Sequence, residues 1–137
     1  MSRWLVTGAG GMLGRDLVGA LERADQKVSG LSRTDVDITD EAAVMAAVRG
    51  HAPDVVVNCA AWTAVDEAES REDDALAVNG RGAGHVAAAC AASGAQLVHL
   101  SSDYVFSGNA ARPYSERDAP GPLTAYGRTS WRGRRPY

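Results

Sequence analysis

Along this chain, short apolar runs typical of strands alternate with segments whose apolar residues recur at helical spacing. This order predicts strands that alternate with helices. Short apolar runs that predict strands occur at residues 4–6, 27–31, 54–61 and 95–100. The run at 54–61 is rich in β-branched residues, as in a central strand buried on both faces. Apolar residues at helical spacing follow the first run, at Leu13, Leu17, Val18 and Leu21. Further helices are predicted at 40–49, around 75–92 and from about 124.

Strands that alternate with helices indicate βαβ units and a parallel sheet with right-handed crossovers. Residues 35–40 alternate like a very short additional strand, so the predicted order is 3-2-1-4-5. A ligand is then expected at the carboxyl ends, where strands 1 and 4 diverge. The fold class is α/β, a Rossmann-like doubly wound parallel sheet, and 137 residues correspond to one domain.

A glycine cluster joins the first strand to the first helix, with the spacing Gly8-x-x-Gly11-x-x-Gly14. Gly8 would allow a sharp turn, Gly11 would let a pyrophosphate approach the backbone, and Gly14 would let helix and strand pack closely. Because the turn lies at a helix N-terminus, its N–H groups favour a phosphate. We count the neighbouring Met12 and Leu13 among the cofactor contacts. The alternative to a phosphate-binding turn is an ordinary glycine-rich turn that binds no ligand.

Composition narrows the function classes. The net charge is −3, and with no basic stripe we expect no nucleic-acid partner. No apolar run approaches the ~20 residues of a membrane span and no signal-peptide pattern is present, so we expect a cytoplasmic protein without membrane contact. Cys59 and Cys90 are expected to be buried thiols. The three histidines show no ligand spacing with them, so we expect no metal site.

Seven motifs together resemble the extended short-chain dehydrogenase/reductases, and more narrowly the dTDP-4-dehydrorhamnose reductase family. They occur in the family's order at residues 6–14, 37–39, 53–63, 65–69, 77–79, 101–106 and 126–129. The Ser-Ser-Asp-Tyr-Val-Phe run at 101–106 is the most specific of them. The resemblance implies reduction of the 4-keto group of dTDP-4-dehydro-L-rhamnose, or a related dTDP-deoxysugar, with NADPH.

The cofactor contacts combine this resemblance with the position of residues after strands. Arg33 follows the second strand, where an arginine accommodates the 2′-phosphate of NADP(H). Asp35 and Asp37 leave NAD(H) possible as the cofactor. The alternative for Arg33 is an arginine on a solvated loop that binds no cofactor. The resemblance places Asp37 and Ile38 beside the adenine. Small residues at the end of the central strand would face the ribose, which adds Ala60, Ala61 and Thr63 to the predicted contacts.

The resemblance makes Ser102 and Tyr126 the catalytic residues: the hydroxyl of Ser102 binds the substrate carbonyl and Tyr126 delivers a proton. A phenol titrates near ~10, so the family places a lysine four residues after its tyrosine. Here that position is Ser130, and the only lysine of the chain is Lys27. An arginine such as Arg132 is a poor replacement. Asn79 matches a position that supports the active-site backbone, with a surface asparagine as the alternative.

The C-terminal residues depart from the family pattern. The family continues Lys-Leu-Ala-Gly at this point, which AAG CTG GCG GGN can encode. Loss of one A shifts the reading frame, so that the same DNA encodes Ser-Trp-Arg followed by a codon that starts with G. Residues 130–133 are Ser-Trp-Arg-Gly, and glycine codons start with G. We therefore interpret 1–129 as the NAD(P)-binding domain and 130–137 as an out-of-frame tail; a genuine Arg-rich tail is the alternative. The chain would be a truncated, inactive fragment without the C-terminal substrate domain. An open sheet edge predicts marginal stability or self-association, for example as a homodimer.

Two other functions remain open from the sequence. A non-catalytic NADP-binding regulatory subunit would explain the missing lysine, although the Ser102/Tyr126 pair argues against it. An epimerase or dehydratase of nucleotide sugars is the other, and the residues 103–106 make it less favoured than a reductase.

Overall fold

The computed structural model describes residues 1–134, which form a four-stranded, wholly parallel sheet with helices packed on it. In sequence order the strands are β1 (Arg3–Thr7), β2 (Lys27–Leu31), β3 (Val55–Asn58) and β4 (Gln96–His99). Their order in the sheet is β2-β1-β3-β4. The α/β class and the order of the four main strands are therefore confirmed. The carboxyl ends of β1 and β3 are level, with Thr7 opposite Asn58.

The predicted short strand at 35–40 is wrong, because these residues form turns. The amides of Asp35 and Val36 both donate to the Ser32 carbonyl oxygen. The Asp37 carboxylate accepts from the backbone N–H and the hydroxyl of Thr39, at 2.9 and 2.8 Å. Aspartate side chains that bond to nearby backbone N–H groups compete with strand pairing, and here the turns prevail.

The helices and helical turns follow the predicted positions closely. They are α1 (Met12–Arg23), α2 (Glu41–His51), α3 (Val65–Ser70), α4 (Glu72–Leu76), a π-helical turn (Ala77–Gly82), α5 (Ala83–Ser93), a 3₁₀ turn (Asp103–Val105) and α6 (Ala125–Gly133). Asp40 caps α2 by accepting from the Ala43 amide at 3.0 Å, and Thr124 caps α6 by accepting from the Gly127 amide at 3.0 Å. Among the described residues no helix is long and apolar enough to cross a membrane.

The core lies between the sheet and the helices α2 and α5. Its fully buried members include Leu5, Val44, Val48, Val56 and Val86. Helix α6 is held separately against α3 and α4, where the Ala125 amide donates to Glu69 at 2.8 Å and Arg128 forms two hydrogen bonds with Glu72. The domain boundary that we predict at residue 129 falls within α6, and residues 135–137 of the predicted tail lie outside the described residues.

Candidate functional site

A cavity of about 430 Å³ opens at the carboxyl ends of β1, β2 and β3. Three loops line it: the glycine turn after β1, residues 32–38 after β2 and residues 59–62 after β3. Val78 of the π-helical turn completes the lining. This is the position at which an open parallel sheet binds its ligand, between strands whose connections run to opposite faces.

The glycine turn rests directly on the end of β3. Gly8 has a φ of +71°, and a Cβ atom there would lie 2.5 Å from the Ala60 nitrogen. A Cβ atom on the buried Gly14 would overlap the Gly8 carbonyl oxygen. A larger residue at Gly8 would therefore push the turn away from the end of β3, and one at Gly14 would push α1 away from the turn.

The N-terminus of α1 presents N–H groups that no side chain caps. Gly11 is the N-cap residue, no side chain accepts a hydrogen bond there, and the first turn contains no acidic residue. Arg15 folds back so that its Nε donates to the Gly10 carbonyl oxygen at 2.8 Å. The partial positive charge of this helix end, with an arginine beside it, suits an anionic ligand. Sequence reasoning missed Arg15, although a basic residue just after a glycine turn is a usable signal.

The loop after β2 leaves Arg33 exposed at the cavity and engages both nearby acids in turns. Asp35 accepts from the Ser32 hydroxyl at 2.6 Å and from the Ser32 amide at 2.8 Å, and these bonds lower the pKa of Asp35. The bonds from Thr39, led by its backbone N–H, likewise lower the pKa of Asp37. Both carboxylates accept hydrogen bonds within their own turns, and Arg33, whose charge also lowers the pKa of Asp37, lines the same cavity as Asp37.

A buried hydrogen-bond network around Asn58 holds the end of β3 in position. The Asn58 side-chain oxygen accepts from the Thr7 hydroxyl at 2.7 Å and from the Ala60 amide at 3.1 Å. Its amide nitrogen lies 3.2 Å from His99 Nδ1 and can only donate, so this His99 nitrogen accepts. Burial, with a smaller contribution from Arg134, lowers the pKa of His99 and favours the neutral ring that this bond requires.

Asn79 joins the loop after β3 to α6. Its side-chain oxygen accepts from the Trp62 amide at 2.8 Å, and its nitrogen donates to the Trp62 carbonyl oxygen and to the Thr129 hydroxyl, each at 3.2 Å. The Thr129 hydroxyl in turn donates to the Tyr126 carbonyl oxygen at 3.0 Å. Asn79 is therefore a buried structural link and not a surface asparagine.

Ser102 and Tyr126 lie on neighbouring elements. Ser102 begins the 3₁₀ turn, where its hydroxyl oxygen accepts from the Tyr104 amide at 3.2 Å. The ring of Tyr104 meets that of Tyr126 edge-on, with centroids 5.3 Å apart. Gly127 permits this approach, because a Cβ atom there would overlap the Tyr104 carbonyl oxygen.

Ser130 is buried one helical turn after Tyr126, at 8% exposure. Arg128, two residues before Ser130, donates two hydrogen bonds to Glu72 of α4. Arg132 is exposed. In the described part of the chain, no ammonium group therefore occupies the position expected of the family's lysine.

The remaining predicted residues differ in placement. Gly8, Gly11, Arg33, Asp37, Ile38, Ala60 and Ala61 all line the cavity, as does Cys59. Met12 and Leu13 are exposed at 85% and 51%, and with Thr63 they lie outside this lining as far as residues 1–134 are described. Their roles stay predictions. Burial raises the pKa of the free thiol of Cys90 to about 11. No cluster of three or more metal-ligating side chains occurs within residues 1–134.

A family profile described as RmlD substrate binding domain matches residues 2–135. A dTDP-4-dehydrorhamnose reductase of Streptomyces griseus is 59% identical over 133 residues, which cover 97% of this chain and 44% of that protein. A dTDP-4-keto-6-deoxy-D-glucose reductase of Streptomyces niveus is 53% identical, covering 96% of this chain and 46% of that protein. The chain thus spans less than half the length of these curated relatives.

Solved structures give the same pattern of similarity. A dTDP-4-dehydrorhamnose reductase from Clostridium acetobutylicum superposes with a TM-score of 0.92 at 41% identity, over 96% of this chain and 47% of that one. The corresponding reductase from Bacillus anthracis, solved in complex with NADP, gives a TM-score of 0.93 at 36% identity, with the same coverage of both chains.

Proposed function

The chain belongs to the RmlD substrate binding domain family, and from this premise we propose that residues 1–129 are the NADP(H)-binding part of a dTDP-4-keto-deoxysugar reductase. The observation that carries the proposal is the cavity that brings the glycine turn, Arg33 and the end of β3 together. The relatives' names support a reductase of dTDP-4-dehydro-L-rhamnose or a related sugar. A cytoplasmic location, suggested by two free thiols, is part of the same proposal.

Each part of the cavity suits one part of the cofactor. The uncapped N–H groups at Gly11 and the start of α1 would hold the pyrophosphate, and Arg33 the 2′-phosphate. Ile38 and Asp37 would lie beside the adenine, while Ala60 and Ala61 would leave room for the ribose. When bound, the nicotinamide cofactor supplies the hydride. Because hydrogen bonds from Ser32 and Thr39 hold Asp35 and Asp37 in turns, the exposed Arg33 is the side chain of this loop that would bind a 2′-phosphate, which favours NADP(H) over NAD(H).

Two side chains would act on the sugar. The Ser102 hydroxyl would donate a hydrogen bond to the substrate's keto oxygen, and the Tyr126 hydroxyl would give that oxygen its proton. The contact of Gly127 with Tyr104 supports this pairing, since it brings α6 against the turn that Ser102 begins. Ser130 and not lysine lies one helical turn after Tyr126, so the position from which the family's lysine assists proton transfer carries no charge, and we expect this chain alone to bind cofactor without turnover.

A non-catalytic NADP-binding regulatory subunit is the second candidate, and Ser130 is the observation that favours it. Stoichiometric co-purification with a larger enzyme would support this candidate. An out-of-frame tail over residues 130–137 would support the reductase instead. Resequencing of the locus decides that point, because the alternative frame downstream would then have to encode a substrate domain.

Fluorescence titration with NADPH and NADH tests the cofactor proposal. We expect NADPH to bind more tightly than NADH. Arg33→Ala should weaken NADPH binding by about tenfold, the effect of one charge-assisted hydrogen bond, and should leave NADH within about twofold. Arg49→Ala, which removes an arginine from the last turn of α2, is the matched control. Binding of neither coenzyme to the wild-type chain would refute the proposal.

A further inference from the structure

The loop after β2 depends on α5 for its position. It has no strand pairing of its own beyond Leu31, and in residues 1–134 most of its hydrogen bonds connect residues within 32–43. One bond reaches a distant element: His85 Nδ1 lies 2.9 Å from the Ile38 carbonyl oxygen, 47 residues away in sequence. A carbonyl oxygen can only accept, so His85 Nδ1 carries the hydrogen and donates.

The Ile38 side chain packs closely on Gly82, the residue that ends the π-helical turn and directly precedes α5. A Cβ atom on Gly82 would lie 2.8 Å from both Cγ1 and Cδ1 of Ile38. Ile38 is 5% exposed and nevertheless contributes to the cavity lining. The backbone of this residue is therefore held by His85 and its side chain is packed on Gly82.

We infer that His85 is a positioning residue for the adenosine end of the cofactor, with Gly82 providing the close packing that the same position needs. The inference rests on the proposed cofactor function, because it assigns Ile38 to the adenine. Among the described residues, His85 is not part of the cavity lining itself, and it acts on the lining through the carbonyl group of Ile38. Without this hydrogen bond, the backbone of the loop is no longer tied to α5, although Ile38 stays in the apolar core that α5 shares, and the adenine face becomes less well ordered.

Three variants test this. His85→Ala removes the donor, whereas His85→Asn keeps an N–H donor the same number of bonds from Cα. Gly82→Ala displaces the Ile38 side chain and leaves His85 in place. His51→Ala, at the end of α2, is the matched control. Dissociation constants are measured by calorimetry for NADPH and for adenosine 2′,5′-bisphosphate, which lacks the nicotinamide, and thermal melting of the free proteins is recorded alongside.

We expect His85→Ala and Gly82→Ala each to weaken the binding of NADPH and of adenosine 2′,5′-bisphosphate by the same factor. For His85→Ala the factor is roughly three- to tenfold, from the lost hydrogen bond, and for Gly82→Ala the loss comes from displacement of the Ile38 side chain. His85→Asn and His51→Ala should stay within about twofold of wild type. Unchanged binding of both ligands to His85→Ala and Gly82→Ala, or a loss in His85→Asn as large as in His85→Ala, would overturn the inference. A loss confined to NADPH would place the effect at the nicotinamide end and overturn it as well. If the wild-type chain binds neither ligand, the cofactor proposal itself fails, which is a separate result.

Discussion

At the scale of single residues, Asn79 connects the loop after β3 to α6. It is 5% exposed, and both polar atoms of its side chain form hydrogen bonds. Its oxygen accepts from the Trp62 amide after β3, and its nitrogen donates to the Thr129 hydroxyl of α6. We predict that Asn79→Ala lowers the free energy of unfolding by about 1–3 kcal/mol, because it leaves buried polar groups without partners. Urea denaturation measures the change.

Two further variants show whether this loss comes from the hydrogen bonds. Thr129→Val keeps the side-chain volume and removes one partner of Asn79, so a smaller loss of about 1 kcal/mol is expected. Asn109→Ala, in an exposed loop, should stay within about 0.5 kcal/mol of wild type. A loss in Asn79→Ala no larger than that in Asn109→Ala would contradict the structural role.

The residues that the sequence predicted best are those whose role depends on local chain geometry. Gly8, Arg33 and Ala60 all line the cavity, because each lies in a turn or just after a strand end that the local sequence pattern predicts. His85 was missed, since its role comes from a bond across 47 residues that leaves no local pattern. His99 was missed for the same reason: its partner Asn58 is 41 residues away.

At the scale of elements, the close approach of Gly127 to Tyr104 holds α6 against the turn that Ser102 begins. Gly127→Ala should improve intrinsic helix propensity by about 1 kcal/mol. Its new methyl group would overlap the Tyr104 carbonyl oxygen and lie 3.1 Å from Pro122 Cβ, and we expect the resulting strain of about 1–3 kcal/mol to dominate. The prediction is a lower melting temperature.

Gly50→Ala provides the comparison for this substitution. Gly50 lies in α2 and a Cβ atom there would have nothing within 4 Å, so the variant should be neutral or more stable by about 0.5–1 kcal/mol. Equal melting of Gly127→Ala and wild type would show that α6 can shift without strain, and the approach of Gly127 to Tyr104 would then not fix α6 against the turn that Ser102 begins.

Element prediction failed where side-chain bonds compete with backbone pairing. The polar–apolar alternation at 35–40 favours a strand, yet Ser32, Asp37 and Thr39 bond locally and form turns. The helix predicted around 75–92 exists, but its first part includes a π-helical turn at Ala77–Gly82. That turn carries Val78 to the cavity and Asn79 to α6, and no period in the sequence distinguishes it from an ordinary helix.

At the scale of the whole molecule, β4 is an edge strand of the sheet formed by residues 1–134. Val98 and Leu100 are each 42% exposed there. An edge with unpaired backbone groups and apolar side chains favours pairing with another chain. We therefore predict that the protein self-associates with rising concentration, a homodimer being the first form, and that sedimentation velocity detects it.

Two variants distinguish association through the β4 edge from association through exposed apolar surface in general. Val98→Lys places a charge on the edge strand, and edge lysines are a common means of preventing strand pairing, so this variant should shift the protein toward the monomer. Leu123→Lys is the matched control, because Leu123 is more exposed, at 67%, and lies in the loop before α6. If Leu123→Lys disperses the protein as well as Val98→Lys does, association arises from apolar surface in general. A wild-type protein that is monomeric at every concentration and melts cooperatively would show that the exposed edge is tolerated, and the self-association predicted from the open sheet would be wrong.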